Sequence, residues 1–252
     1  MDIQYDKIMF PTVSDYPKEM FDISSPKGYR VGCGKAYLDS NVIAKRFFVR
    51  RIKEAVRLLP QRDYESVADI GTGSGFYLPL LSTIGKQVNA VDIAPVLDLT
   101  QKMILKKGLS NITFHKSDVR KLPFKNGYFD LMFCLSLIEH IEDQESTLIE
   151  FRRVIKNDGI LLLGYPLQNT PQTIFEGANR NMQFAKLFFR VNFRDAIRRI
   201  NEARNYPHDH VADFKNIRKK AEKHFLLSDF TTVKLLGFPV YEILLLVHNN
   251  LA

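Results

Sequence analysis

The sequence predicts an α/β fold built on a doubly wound, mostly parallel, seven-stranded sheet. Three observations predict it. Strand-length apolar runs alternate with helix-length periodic stretches from Ser66 onward. Glycines close the helices between them. The first strand runs straight into three glycines at alternate positions, in "VADIGTGSGFY". Strands that alternate with helices of this length require right-handed crossovers and a sheet covered on both faces.

Residues 1–38 are turn-rich and weakly patterned, with Pro26, Gly28, Gly32 and Gly34 marking loop. A helix is predicted from Asn41 to Leu59, capped by Asp39 or Ser40 and stopped by Pro60. Phe48, Ile52, Ala55 and Leu59 share one face of it, while Arg46, Arg50, Lys53 and Arg57 form a basic stripe on the other. The alternating region follows. "SVADI" is the first strand, "FYLPLLSTI" starts a helix closed by Gly85, and "QVNAVDI" is the second strand. "PVLDLTQKMILKKG" is a helix ended by Gly108, "ITFHKSD" the third strand and "YFDLMFCLS" the fourth. "EDQESTLIEFRRVI" is a helix, and "GILLLGYP" is the fifth strand after the turn "KNDG". The pattern breaks at 168–207, where two short helices are predicted as an insertion with a break near Asn192. It resumes with a helix over 213–224 and strands near "TTVKLLG" and "VYEILLLV". Residues 1–60 are therefore expected to form a loop and amphipathic helix covering the site. Residues 61–252 are expected to form the main domain, with a helical insertion or lid at 168–207.

The composition narrows the function classes. A chain of 252 residues, 45% hydrophobic and 25% charged, is an ordinary globular one with a core large enough to need no staples. Its two cysteines, Cys33 and Cys134, lie far apart without metal-type spacing. That argues against a disulfide scaffold or zinc site and predicts a reducing, cytoplasmic setting; no metal is expected. The N-terminus carries acids and reads as no signal peptide, and no window has the roughly 18 apolar residues of a membrane span. A net charge of +8 points to an acidic partner or a solvated basic surface.

The glycines bring backbone close to a ligand, and in doubly wound folds the ligand sits at the carboxyl ends of the strands. A nicotinamide site wants G-x-G-x-x-G, but Phe76 occupies the position of its third glycine. Asp69, two residues before Gly71, would repel a pyrophosphate and attract an ammonium group. Asp92 ends the second strand, where a carboxylate accepts hydrogen bonds from both hydroxyls of a ribose. Asp118 ends the third, where its carboxylate is placed for an adenine amine and the Val119 amide for a ring nitrogen.

Together, "ADIGTGSG" with "VDI", "KSDVRKLPFKNGYFDLMFCLSLIEHI" and "FRRVIKNDGILLLGYP" resemble the class I S-adenosylmethionine-dependent methyltransferases, especially the type 11 small-molecule branch. The resemblance covers residues 66–166, with a weaker echo at 207–230. It implies a Rossmann-like methyltransferase fold with S-adenosyl-L-methionine as cofactor. Gly71, Gly73 and Gly75 would then admit the methionine part and Asp69 would lie near its amino group. Asp92, with Ile93 beside it, would bind the ribose and Asp118 with Val119 the adenine. Backbone at Cys134 and Leu135 would meet the amino-acid end; the Cys134 thiol itself is expected to be packing.

Methyl transfer from a sulfonium is an in-line displacement that needs mainly alignment, so a base is optional. His140, after the fourth strand, is the candidate base. Tyr77, Tyr165, His208 and His210 are candidate substrate residues. The place after the fourth strand reads "FCLS", without the paired prolines of enzymes acting on exocyclic base nitrogens, and Cys134 follows Phe133 rather than a proline. The expected partner is therefore a small-molecule or lipid-like acceptor, with nucleic acid given less weight. Peripheral contact with an anionic membrane and a homodimer are further partners that the basic, phenylalanine-rich 184–204 stretch would suit. The alternatives are an RNA methyltransferase using its basic surface and a catalytically silent cofactor-binding partner protein.

Overall fold

The computed structural model describes residues 8, 10–16, 42–93, 96–167, 216–235 and 237–248. Seven strands form one sheet: β1 (Tyr64–Ile70), β2 (Gly85–Asp92), β3 (Ile112–Lys116), β4 (Phe129–Leu135), β5 (Ile155–Pro166), β6 (Phe225–Leu235) and β7 (Phe238–His248). Their order is β3-β2-β1-β4-β5-β7-β6. The first five strands run parallel, and β7 lies antiparallel between β5 and β6. The reversal is local chemistry: a tight turn at Gly237, with φ +86°, joins β6 to β7, and a turn that short joins only antiparallel strands.

The alternation along each strand divides the core in two. Val67, Val88, Leu131, Leu162 and Ile243 face one side, and Ala68, Val91, Met132, Leu161 and Leu244 the other. The first side is covered by α1 (Val42–Arg57), α2 (Leu78–Ile84) and α3 (Val96–Lys106) through residues such as Ile52, Leu81 and Met103. The second is covered by α4 (Gln144–Val154) and α5 (Ile217–His224) through Leu148, Phe151 and Ala221. Asp143 caps α4 by accepting the Ser146 N–H at 3.0 Å.

The expected fold class is the observed one, with local differences at the ends. α1 is helical from Val42 to Arg57, and Leu58 and Leu59 close it with tighter bonds to Ala55 and Val56 before Pro60. Ile52 and Ala55 are buried, and Arg50, Lys53 and Arg57 are exposed, as the two stripes require. "KNDG" is not a turn before β5 but part of it: β5 starts at Ile155 opposite Phe129, then shifts register before Leu131 pairs with Ile160. β6 starts at Phe225, directly after α5, six residues ahead of "TTVKLLG". The caps Asp39 and Ser40 and the insertion at 168–207 lie outside the described residues.

Asp130 ties three strands together at the amino edge of the sheet. Its Oδ2 accepts the N–H groups of Glu65 and Ser66 at 3.1 and 2.9 Å, and its Oδ1 accepts Lys156 Nζ at 2.7 Å. Burial works to raise its pKa, but Lys156 and the two N–H groups outweigh it and hold the carboxyl below its usual range. Because the folded-state pKa is depressed, this stabilisation is present above the unfolded value and is lost as pH falls through the folded one. Asp130→Asn is expected to lower the unfolding free energy by about 1–3 kcal/mol at pH 7, with the difference vanishing in acid. Urea titrations at pH 7 and pH 3 measure it; an equal deficit at both would remove the charge from the account.

Candidate active site

The site is built at the carboxyl edge, where β1 and β4 part to opposite crossovers. β1 ends at Ile70 and the chain enters the glycine turn. Gly71, Gly73 and Gly75 have φ of +75°, +48° and +70°. The turn is pinned to the end of β2: Val91 O accepts Gly71 N and Thr72 N at 2.8 and 3.1 Å, and Asp92 Oδ2 accepts Gly73 N at 2.7 Å. Thr100 of α3 holds it from the side, donating Oγ1 to Gly73 O at 2.7 Å.

The three glycines are not equivalent. A Cβ on Gly71 would lie 2.9 Å from Leu137, and one on Gly75 only 2.5 Å from Thr100 Cγ2. A Cβ on Gly73 would meet nothing nearer than Gly71 O at 3.9 Å. Packing thus requires Gly71 and Gly75, whereas Gly73 faces open room at the strand ends. Residues 10–16 lie against this turn: Phe10 stacks on Phe76 at 5.2 Å, and the buried Tyr16 hydroxyl sits beside Ser74.

Asp69 is buried under the turn, where its Oδ2 accepts Thr72 Oγ1 at 2.6 Å. Burial, with a smaller push from the charge of Asp92, raises its pKa to about 7. Ile93 beside Asp92 is exposed. Asp118 stands at the surface after β3, its carboxylate bound to the Arg120 backbone N–H and to the guanidinium, with Nη2 2.6 Å from Oδ2. Those bonds hold its carboxyl below the usual range. Val119 and Leu135 are buried. Cys134 is a fully buried free thiol, and burial with the charges of Glu139 and Asp69 pushes its pKa up, so it stays protonated and packs.

The candidate substrate residues separate. Tyr77 is buried and lies within electrostatic reach of Tyr241. His140 is exposed on the 3₁₀ turn Ile138–His140 that follows β4. Tyr165 is buried on the α4–α5 side, where its hydroxyl bonds Glu242 and Glu242 Oε1 lies 3.3 Å from Arg218 Nη1; it does not join the glycine turn. His208 and His210 lie outside the described residues.

Four polar residues gather at this edge that the sequence reading did not single out. Arg51 is 2% exposed and donates Nη2 to Ser136 Oγ at 2.5 Å and to Tyr241 OH at 3.1 Å, with its guanidinium 3.9 Å over the Tyr241 ring. Ser136 has φ +62°, the one positive φ outside glycine among the described residues. Glu139 is buried on the next turn, and its Oε2 has no hydrogen-bond partner among the described residues. Arg51 was legible: it falls at helical spacing among Phe48, Ile52 and Ala55, on the apolar face. Nothing in the sequence marks Ser136.

The sheet order, the glycine turn at its switch point, the acid ending β2 and the acid just beyond β3 define a class I methyltransferase fold. Residues 68–163 match the family described as "Methyltransferase domain", and over that stretch the chain carries a domain of the type 11 class I methyltransferase kind. The chain is 30% identical over 98 residues to the uncharacterized methyltransferase YcgJ of Bacillus subtilis, covering 38% of this chain and 39% of that protein. It is 30% identical over 129 residues to norajmaline N-methyltransferase of Rauvolfia serpentina, covering 48% and 44%. The chain thus spans less than half the length of these curated relatives. The crystal structure of the PH0226 protein from Pyrococcus horikoshii shares the fold, with TM-score 0.60 at 17% identity over 85% of this chain and 96% of that one. Among the described residues no helix is long and apolar enough to cross a membrane, and no group of His, Cys, Asp and Glu is arranged to hold a metal ion.

The glycine geometry makes a prediction about stability. Gly73→Ala is expected to cost about 1 kcal/mol, for the left-handed backbone alone. Gly75→Ala adds an overpacked contact with Thr100 and is expected to cost about 2–4 kcal/mol. Denaturant midpoints of the two variants decide it; equal losses would mean that α3 yields to the methyl group.

Proposed function

We propose that the protein transfers the methyl group of S-adenosylmethionine to a small or lipid-like acceptor. The observation that carries this reading is the glycine turn, with Gly73 open to the strand-end space while Asp92 and Val91 hold its backbone fixed. The residues present fit the cofactor. Room beside Gly73 suits the methionine part, Asp69 is a buried acid suited to its ammonium group, and Asp92 ends the strand where a ribose would lie. Asp118 and Val119 would take the adenine, with Asp118 keeping Arg120 as its counter-ion, and Ile93 would cover the ribose. Backbone at Cys134 and Leu135 would close the amino-acid end. Norajmaline N-methyltransferase, by its name, acts on a small molecule, which supports an acceptor of that size.

When bound, the cofactor supplies an activated methyl on a sulfonium; the protein's part is alignment, dryness and handling of the acceptor's proton. The pinned turn offers a preset backbone surface, so little reorganisation accompanies binding. Residues 10–16, with Phe10 on Phe76 and Tyr16 beside Ser74, help exclude water over the turn. This supports residues 1–60 as a cover on a methyltransferase domain of residues 61–252.

Two measurements test the reading with S-adenosylhomocysteine as probe. Calorimetry on Asp92→Ala is expected to show binding weakened by about 1.5–3 kcal/mol, the range for hydrogen bonds to a charged group. Unchanged affinity, or a preference for a nicotinamide dinucleotide, would reject the assignment. The second concerns pH. Below about 7 the free protein carries a proton on Asp69, and an incoming ammonium group must displace it. Affinity is therefore expected to fall by up to about tenfold per pH unit below 7 and to level off above it. Asp69→Asn should flatten the profile.

A further inference from the structure

Glu139 has no part in cofactor binding as read above, yet its placement is unusual. It is 2% exposed, and its Oε2 meets no donor among the described residues. Buried acceptors left open in this way are rare in native proteins and call for a reason. Glu139 lies on the 3₁₀ turn directly beyond β4, at the same edge of the sheet as the open side of Gly73. Its surroundings are fixed by contacts across the fold. Its charge acts on Cys134 of β4 and Tyr241 of β7, and the charge of Arg51 from α1 acts on it. Arg51 is itself held by Ser136 Oγ and the Tyr241 ring, so the cation beside Glu139 is a fixed one. Ser136, in a left-handed conformation, redirects the chain between β4 and this turn. Strain of this kind at a strand end marks a place where backbone direction matters.

We propose that Glu139 is the acceptor-facing carboxylate of this site: its Oε2 accepts a hydrogen bond from a hydroxyl or neutral amine of the acceptor and takes that group's proton during transfer. The inference rests on the S-adenosylmethionine reading above. In the step, the acceptor's oxygen or nitrogen lone pair forms the new bond to the methyl carbon and the carbon–sulfur pair returns to sulfur. The acceptor's O–H or N–H bond breaks, leaving its electrons on the methylated atom and its proton on Glu139 Oε2. One positive charge on sulfur and one negative charge on the carboxylate disappear together, so no further reactant is needed. Burial raises the carboxyl's proton affinity, as a base working near neutral pH requires, while His140 and Arg51 oppose complete neutralisation. An acceptor presenting an anionic nucleophile would meet a like charge here, and so the class is a neutral hydroxyl or amine.

The test needs no knowledge of the acceptor. Sinefungin carries a primary amine where the cofactor carries its methyl group, so its ammonium reports on a carboxylate facing that position; S-adenosylhomocysteine has no group there. The ratio of the two affinities is measured by calorimetry at pH 8 in the wild type and in Glu139→Gln. The expected result is S-adenosylhomocysteine affinity within twofold of wild type and a sinefungin preference reduced at least fivefold. An unchanged ratio overturns the proposal. Failure of the wild type to bind either ligand overturns instead the cofactor reading on which it rests. Should Glu139→Gln not fold, the wild type alone decides through pH. The sinefungin preference is expected to shrink as pH is lowered from 8 and Glu139, its proton affinity raised by burial, takes up a proton; a preference that stays constant down to the acid limit of folding overturns the proposal. Asp69 faces the amino-acid part common to both ligands and cancels in the ratio. Arg51, Tyr241 and Cys134, the charged and titratable groups on the packed elements, keep their charge states over this range. Repeating the series in His140→Gln separates the histidine on the same turn.

Discussion

The bond from Gly73 N to Asp92 Oδ2 is the constraint on which the site depends. It joins the turn after β1 to the last residue of β2, across the register in which Ile70 faces Val91. A turn with three left-handed residues has no helix or ladder to stabilise it, and its glycines retain the most freedom in the unfolded chain. The fold offsets this by anchoring the turn to the end of β2, where Val91 O takes two of its N–H groups. Thr100 adds a third point from α3, and the short contact that a Cβ on Gly75 would make shows how closely that helix is drawn in. One open position remains, at Gly73, and it is open because its neighbours are closed.

The electrostatics of the edge follow from the same arrangement. Asp69, Asp92 and Glu139 all stand near the carboxyl ends of β1, β2 and β4, and the charges of His140 and Arg51 act on Glu139. Two of these acids are buried and both are pushed upward in pKa, mainly by loss of water. Such an edge is destabilised in the empty protein and relieved by a ligand that carries positive charge. A sulfonium with an ammonium group has two such charges; a pyrophosphate has the wrong sign. The ligand class is thus selected by repulsion as much as by attraction.

Much of the fold and the glycine turn were legible in the sequence because both rest on local signals. β1 and the glycine turn are contiguous, and Asp92 is marked by where β2 stops; Asp118, expected to end the third strand, lies two residues beyond β3, which stops at Lys116 once its pairing with Asp92 is made. The extra length of β5 and β6 was not legible. Ile155 joins the sheet only because Phe129 lies opposite, and Phe225 begins β6 only because His248 pairs with it. The polar cluster has the same character: Arg51, Ser136 and Tyr241 are separated by 85 and 105 positions along the chain and meet only through the crossovers. Arg51 alone left a trace, as a charge on the apolar stripe of α1; reading Arg46, Arg50, Lys53 and Arg57 as the basic face hid it.

The antiparallel β7 explains how this edge acquires its second polar cluster. In a wholly parallel sheet the start of a strand lies at the amino edge, away from the site. Because β7 runs backwards, its early residue Tyr241 pairs with Pro166 at the carboxyl end of β5. There it supplies a hydroxyl to Ser136 and an aromatic face to Arg51. α1 crosses that end of the sheet, bringing a cation that β4 and β5 do not contribute in this cluster. Reversing one strand therefore adds a second set of side chains to an edge that the glycine turn already occupies. The pinned glycine turn belongs to β1 and β2, and the polar cluster to α1, β7 and the chain just beyond β4. This separation lets the second group change without disturbing the first.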